Sequence, residues 1–112
     1  MEAINFIKNN KNKYCFASNH FDDKNDALKF VNKLYSAGAE EVRVDGILNE
    51  QWRIKEEKGA YADTLIIKMP REKEKIINIM AEILIVRPDE VDDLNHPKTD
   101  WNKAEYIRLW WD

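Results

Sequence analysis

A single cysteine in 112 residues excludes an internal disulfide, so nothing staples this chain covalently. The lone Cys15 fits a reducing compartment, and a cytoplasmic location is the expectation. Glycine and proline are scarce, three of each, which excludes collagen-like and linker-like chains. No apolar run approaches the ~20 residues that cross a bilayer, so no membrane association is expected. The opening stretch, MEAINFIKNNKNK, carries its apolar residues ahead of its lysines and lacks the long apolar core of a secretory signal. Positive charge is also short: 18 Lys and Arg against 21 Asp and Glu leave a net charge of −3. That balance argues against nucleic acid or anionic membrane as partner, because both attract basic surfaces, and it suits a basic protein.

What the chain does have is apolar weight. Hydrophobic residues make up 44%, including four each of Trp, Tyr and Phe, enough for one domain of this length, residues 1–112, to bury a core. Residues 1–12 read as a short N-terminal helix or a tail, with Ile4, Phe6 and Ile7 as its apolar side. The Lys/Asn-rich stretch 8–13 reads as a solvated turn.

Residues 14–17, aromatic-rich and bounded by polar neighbours, have the pattern of a first strand. In FDDKNDALKFVNKLYSAGA, Asp22 or Asp23 suits a helix N-cap and Asp26 its first turn. Ala27, Leu28, Val31, Leu34 and Tyr35 then recur at helical spacing until Gly38 stops the helix. EEVRVDGI alternates, with Val42 and Val44 inward, as a half-buried strand does. A loop of roughly fifteen residues holding Trp52, Gly59 and Tyr61 is expected next. DTLIIKM reads as a third strand. Pro70 suits the start of a second helix, where its missing N–H costs little. Ile76, Ile77, Ile79, Met80, Ile83 and Leu84 form that helix's buried stripe, and Arg87-Pro88 ends it. A polar, acidic loop follows, and 105–111 is the last strand. The order β-α-β-β-α-β predicts an α+β ferredoxin-like sandwich, a four-stranded antiparallel sheet with both helices on one face.

The chain closes on YIRLWWD. Strand alternation puts Ile107, Leu109 and Trp111 against the helices and leaves Tyr106, Arg108 and Trp110 on the uncovered face. A folded-over loop, a second copy of the chain or a foreign partner would each cover that face. Tyr, Arg and Trp are residue types that anchor protein interfaces. Between Arg87 and Glu105 stand the acids Asp89, Glu90, Asp92, Asp93, Asp100 and Glu105 against the bases Arg87, Lys98 and Lys103, a segment that matches the whole net charge. An acidic loop beside exposed aromatics would draw in and hold a basic protein.

Support for catalysis or metal binding is thin. Cys15 falls in an apolar stretch where an inert thiol is the ordinary outcome. His20 and His96 have no nucleophile motif around them, and Asp45 and Asp63 at strand ends are ordinary solvated acids. Asp89, Glu90, Asp92, Asp93, His96 and Asp100 lack the bend glycine and terminal glutamate of a Ca²⁺ loop. SAGAEEV has one glycine, after a helix, and makes no phosphate cradle. The third strand lacks the aromatic-glycine motif of single-stranded RNA binders with this topology.

Taken together, GAYADTLIIKMP (59–70), SAGAEEVRVDGI (36–47) and the terminal LWWD (109–112) resemble a group of small bacterial proteins without an assigned activity. The resemblance implies a bacterial, cytosolic single domain and supplies no catalytic residue. The expected function is therefore a non-catalytic protein-binding module. Its most concrete form is an immunity or antitoxin-type protein that neutralises a basic toxin through Asp89, Glu90, Asp92, Asp93, Tyr106, Arg108, Trp110 and Trp52, with no catalytic residue, metal or cofactor. The alternatives are a small enzyme or ligand-binding domain with its pocket near loop 47–62, and a homodimer with a structural role.

Overall fold

A computed structural model describes residues 1–94 and 103–112. Its strands are β1 (Glu41–Asp45), β2 (Thr64–Lys68), β3 (Glu90–Asp93) and β4 (Tyr106–Trp110), and its helices α1 (Ala3–Lys8), α2 (Lys24–Ala37), α3 (Gln51–Glu57) and α4 (Lys73–Val86). The strands form one antiparallel sheet in the order β1-β2-β4-β3. The domain is thus α+β with a four-stranded antiparallel sheet, as the alternation requires. No helix of the described residues is long and apolar enough to cross a membrane.

The core lies on one sheet face. Val42, Ile67 and Ile107 form one row across β1, β2 and β4, and Val44, Leu65 and Leu109 another, all buried. α2 and α4 pack together over these residues, and α1 closes the β1 side against α2. Asp23 caps α2 by accepting hydrogen bonds from the Asn25 and Asp26 N–H groups at the helix's open end. Gly38 ends the helix at φ 119°, a left-handed conformation that only glycine adopts without strain.

Four expectations need correction. Residues 14–17 form no strand; Phe16 makes one isolated bridge to Ala62, and Ala17 turns away at φ 40°. Cys15, Phe16 and Ala17 are all buried in succession, so residues 15–17 are a strap through the core with no outward face to alternate. The strand that completes the sheet is β3, within the segment expected to be an acidic loop, and β4 sits directly between β2 and β3. Among the described residues, then, the strand order of a ferredoxin-like sandwich is absent. In the loop 47–62, α3 forms without burying any residue. Arg53 bridges Glu50 at 3.0 Å and Glu57 at 2.9 Å, the helical spacing at which opposite charges meet. Finally, α4 starts after Pro70, with Glu72 as N-cap, and buries only Ile76, Ile79 and Ile83. Ile77 and Leu84 are 55% and 74% exposed.

Trp111 extends the β4 alternation one residue beyond the strand and is fully buried. Phe16, Phe21 and Phe30 surround it edge-on, with ring centroids 5.6, 5.5 and 6.1 Å away. Such aromatic pairs add about 0.5–1.5 kcal/mol each beyond their buried area. Its Nε1 has no hydrogen-bond partner among the described residues.

A second tie joins α1, α2 and β1. The Tyr35 hydroxyl donates to Glu2 Oε2 at 2.7 Å and accepts the Val42 N–H at 2.9 Å. Burial, and then the bond to Glu2, push the Tyr35 phenol up to about 12. Burial opposes ionisation of Glu2, but the bonds from Tyr35 and from the Asn5 and Ile4 backbone outweigh it and lower its pKa.

Replacing Trp111 with Ala should cost about 3–5 kcal/mol in denaturant unfolding, the usual loss for a buried Trp. Trp111→Phe should cost less, because it also removes the unpartnered N–H. The Tyr35 phenol, raised above its unfolded value, contributes stability that is present below pH 10 and lost as pH climbs towards about 12. The Glu2 carboxyl, lowered, contributes above the ordinary carboxylate range and loses that contribution on acidification. Unfolding curves from pH 8 to 12 should therefore fall more steeply for the native chain than for Tyr35→Phe.

Candidate binding surfaces

The sheet face away from the core carries Tyr106, Arg108 and Trp110, each half-buried. The register sets their neighbours: Lys68 beside Tyr106, Ile66 and Asp92 on either side of Arg108, and Thr64 and Glu90 on either side of Trp110. Arg108 Nη1 lies 3.4 Å from Glu90 Oε2 and 3.2 Å from Asp92 Oδ2. Exposed pairs of this kind stabilise by only about 0–1 kcal/mol, so their effect is to hold the guanidinium flat across the strands. Five of the sequence-expected residues, Glu90, Asp92, Tyr106, Arg108 and Trp110, thus meet on one surface.

The other three lie elsewhere. Asp93 is one residue beyond Asp92 and so points to the helix side, where it is 6% exposed. Asp89 is tied to the chain's last residue: its Oδ2 accepts the Asp112 N–H at 2.7 Å, and His20 Nε2 lies 3.3 Å from the same oxygen. His20 Nε2 is also 3.0 Å from the Asp112 carbonyl oxygen, which joins the loop before α2 to the closing residues. Trp52 sits on α3 with its ring 4.6 Å from the Arg53 guanidinium, and the Tyr61 ring is 5.6 Å from the same group. His96 and Asp100 lie outside the described residues. Among the described residues no group of three or more His, Cys, Asp or Glu is placed to hold a metal ion. Burial, partly offset by Lys24, pushes the Cys15 thiol up to about 11, the opposite of what activates a nucleophile.

A cleft of about 540 Å³ opens between the 11–18 segment and α3, with Lys11, Lys13, Tyr14, Arg53, Lys58 and Tyr61 on its walls. Its first wall is built by asparagines. Asn10 Oδ1 accepts the Asn12 N–H and Asn12 Oδ1 the Tyr14 N–H, both at 2.9 Å, so two successive side chains fold the backbone and turn the lysines outward. Asn10 Nδ2 donates to the Ala60 carbonyl at 2.9 Å, which ties this wall to the chain leaving α3. Gly59 passes so close that a Cβ would run into Asn10 Oδ1 and come within 3.3 Å of the Asn12 N. Tyr61 is fixed by a two-way backbone bridge to Leu48 and by the Ser18 N–H, which donates to its hydroxyl at 3.2 Å. The stretch 8–13 read as a solvated turn is therefore solvated at Asn9 and its lysines, whereas Asn12 is buried. The K-N-N-K-N-K run of residues 8–13 was the available signal, since asparagine is a residue that closes such turns.

No protein-family model, curated protein or solved structure matches this chain.

Gly59→Ala should destabilise the fold by about 1–3 kcal/mol, as overpacking does. Truncating the obstacle as well, in Gly59→Ala/Asn10→Ala, should relieve the clash, so the double variant should lose less in thermal unfolding than the two single losses added together.

Proposed function

We propose that this protein is a non-catalytic binding module whose partner is a basic protein. The observation that carries the reading is the juxtaposition of half-buried Tyr106, Arg108 and Trp110 with the exposed carboxylates of Glu90 and Asp92 across the adjacent strand pair. Aromatic rings and a guanidinium supply the slow-dissociating contact, and carboxylates at the rim speed the encounter. The most specific form of the reading is an immunity or antitoxin-type protein that covers a basic toxin such as a nuclease, acting in the cytoplasm without a cofactor. The strand order separates the domain from the ferredoxin-like arrangement, so nothing in the reading is borrowed from that fold.

The test is a tagged capture from the native cell at low and moderate salt, read by mass spectrometry, with purified partner then measured by surface plasmon resonance. Trp110→Ala should abolish retention of a stoichiometric basic partner. Glu90→Lys with Asp92→Lys should slow association about tenfold at low salt and much less at high salt, as long-range steering does. A partner that binds both variants like the native chain would defeat the reading.

Self-association is the second reading, and it has its own observation. Ile77, Leu84 and Ile85 on α4 are 55%, 74% and 70% exposed and lie on one side of the helix. An antiparallel second copy would set the basic start of α4, with Arg71 and Lys73, against the acidic Asp89 and Glu90 beyond its end. Light scattering of native and Leu84→Glu chains decides it: a dimer that the substitution dissociates supports it, and a native monomer removes it.

A further inference from the structure

We infer that the cleft between the 11–18 segment and α3 is a binding site for a phosphate-bearing planar ring, the chemistry of a nucleoside phosphate. The site is separate from the sheet face, and the inference does not rest on the protein-partner reading. Its size comes first: about 540 Å³ lies within the range of small-molecule sites.

Its charge is the second point. Lys11, Lys13, Arg53 and Lys58 line the cleft against Glu56 and Glu57, a local excess of two positive charges on a chain of net charge −3. Glu57 is occupied by Arg53 at 2.9 Å. Lys11, Lys13 and Lys58 have no acidic partner among the described residues, so their charge is not spent on a neighbouring carboxylate. Lysines around one concavity hold a doubly charged anion at lower cost than the same residues spread over a convex surface, because the walls focus their field.

Its third property is a stacking wall. The Arg53 guanidinium is held by two carboxylates against the Trp52 and Tyr61 rings, with its side chain only 14% exposed, so it orders this wall and leaves stacking to the exposed ring across from it. Tyr14 stands opposite, 51% exposed. A planar base stacks on the Tyr14 ring, while the Glu56 carboxylate, which has no cationic partner among the described residues, accepts from a sugar hydroxyl or an exocyclic amine. The asparagine turn and the close passage of Gly59 fix both walls, which reduces the ordering cost of binding.

A free nucleotide and the phosphorylated end of a single strand offer this same chemistry, and one titration separates them. The full chain is titrated calorimetrically with AMP, UMP, adenosine, inorganic phosphate and a 5′-phosphorylated eight-nucleotide single strand. The expected result is saturable binding of the nucleotides, at least tenfold weaker binding of adenosine and of inorganic phosphate, and weakening by added salt. Equal affinity for mononucleotide and strand identifies the free nucleotide, and a strand that binds more than tenfold tighter identifies the strand end. Lys13→Glu and Tyr14→Ala, both at exposed positions, should each weaken binding about tenfold with unchanged thermal unfolding, while Trp110→Ala should leave it unaltered. The inference is overturned if neither AMP, UMP nor the strand binds. It is equally overturned if inorganic phosphate binds as well as AMP, or if Lys13→Glu and Tyr14→Ala bind like the native chain.

Discussion

The indole of Trp111 meets three phenylalanines edge-on, and they come from three different places in the chain. Phe16 belongs to the strap that crosses the core, Phe21 to the turn before α2, and Phe30 to α2 itself. The indole in turn is carried there by β4, the strand that lies between β2 and β3. One side chain therefore sets the seating of a helix, the path of an irregular segment and the depth of one of the sheet's two central strands. The closing residues are drawn in with it: the Trp111 N–H donates to the Asp63 carbonyl at 3.1 Å, and Asp112 is bound by Asp89. Trp110 is then obliged to face the other way, because successive strand residues cannot share a side.

Where burial follows a period, the sequence was readable. Val42 and Val44, the alternation in TLIIK, and Ala27, Val31 and Leu34 at helical spacing all lead to the elements they form. The grouping of Tyr106, Arg108 and Trp110 comes from the same rule. Residues 14–17 deceived it because three successive buried side chains look like a short apolar strand, while the φ 40° turn at Ala17 leaves no trace in composition. β3 was hidden for the opposite reason. Two acids face solvent and only Val91 carries apolar weight inward, a pattern that an edge strand tolerates and a central strand does not. α3 was hidden because side-chain charges and a guanidinium between rings hold it, and neither produces an apolar stripe. Asp93 was grouped with Asp92 by nearness in sequence, although alternation sends the two to opposite faces.

Charge is divided between the two candidate surfaces, and the division follows the topology. On the sheet face every described arginine meets a carboxylate, so electrostatics there fixes geometry more than it attracts. Around the cleft the lysines stand on a turn folded by asparagine amides. Those amides and the Lys24 ammonium, which donates to the Lys8 and Asn10 carbonyls, satisfy the backbone, and so the charges of Lys11 and Lys13 remain available to solvent. An acidic protein can in this way keep a locally basic hollow.

The two margins of the sheet are finished differently. Along β1 the chain's own start lies alongside, with the Val44 N–H donating to the Met1 carbonyl at 2.9 Å and Glu2 bridging Arg43. Along β3 the border is written in carboxylates, Glu90 and Asp92 outward and Asp93 inward. An extended apolar segment from another molecule that tried to lengthen the sheet there would bring no counter-charge to a row of anions, and stacking like onto like would set two such rows side by side. The residues that make β3 hard to recognise as a strand thus set charge against edge-to-edge growth.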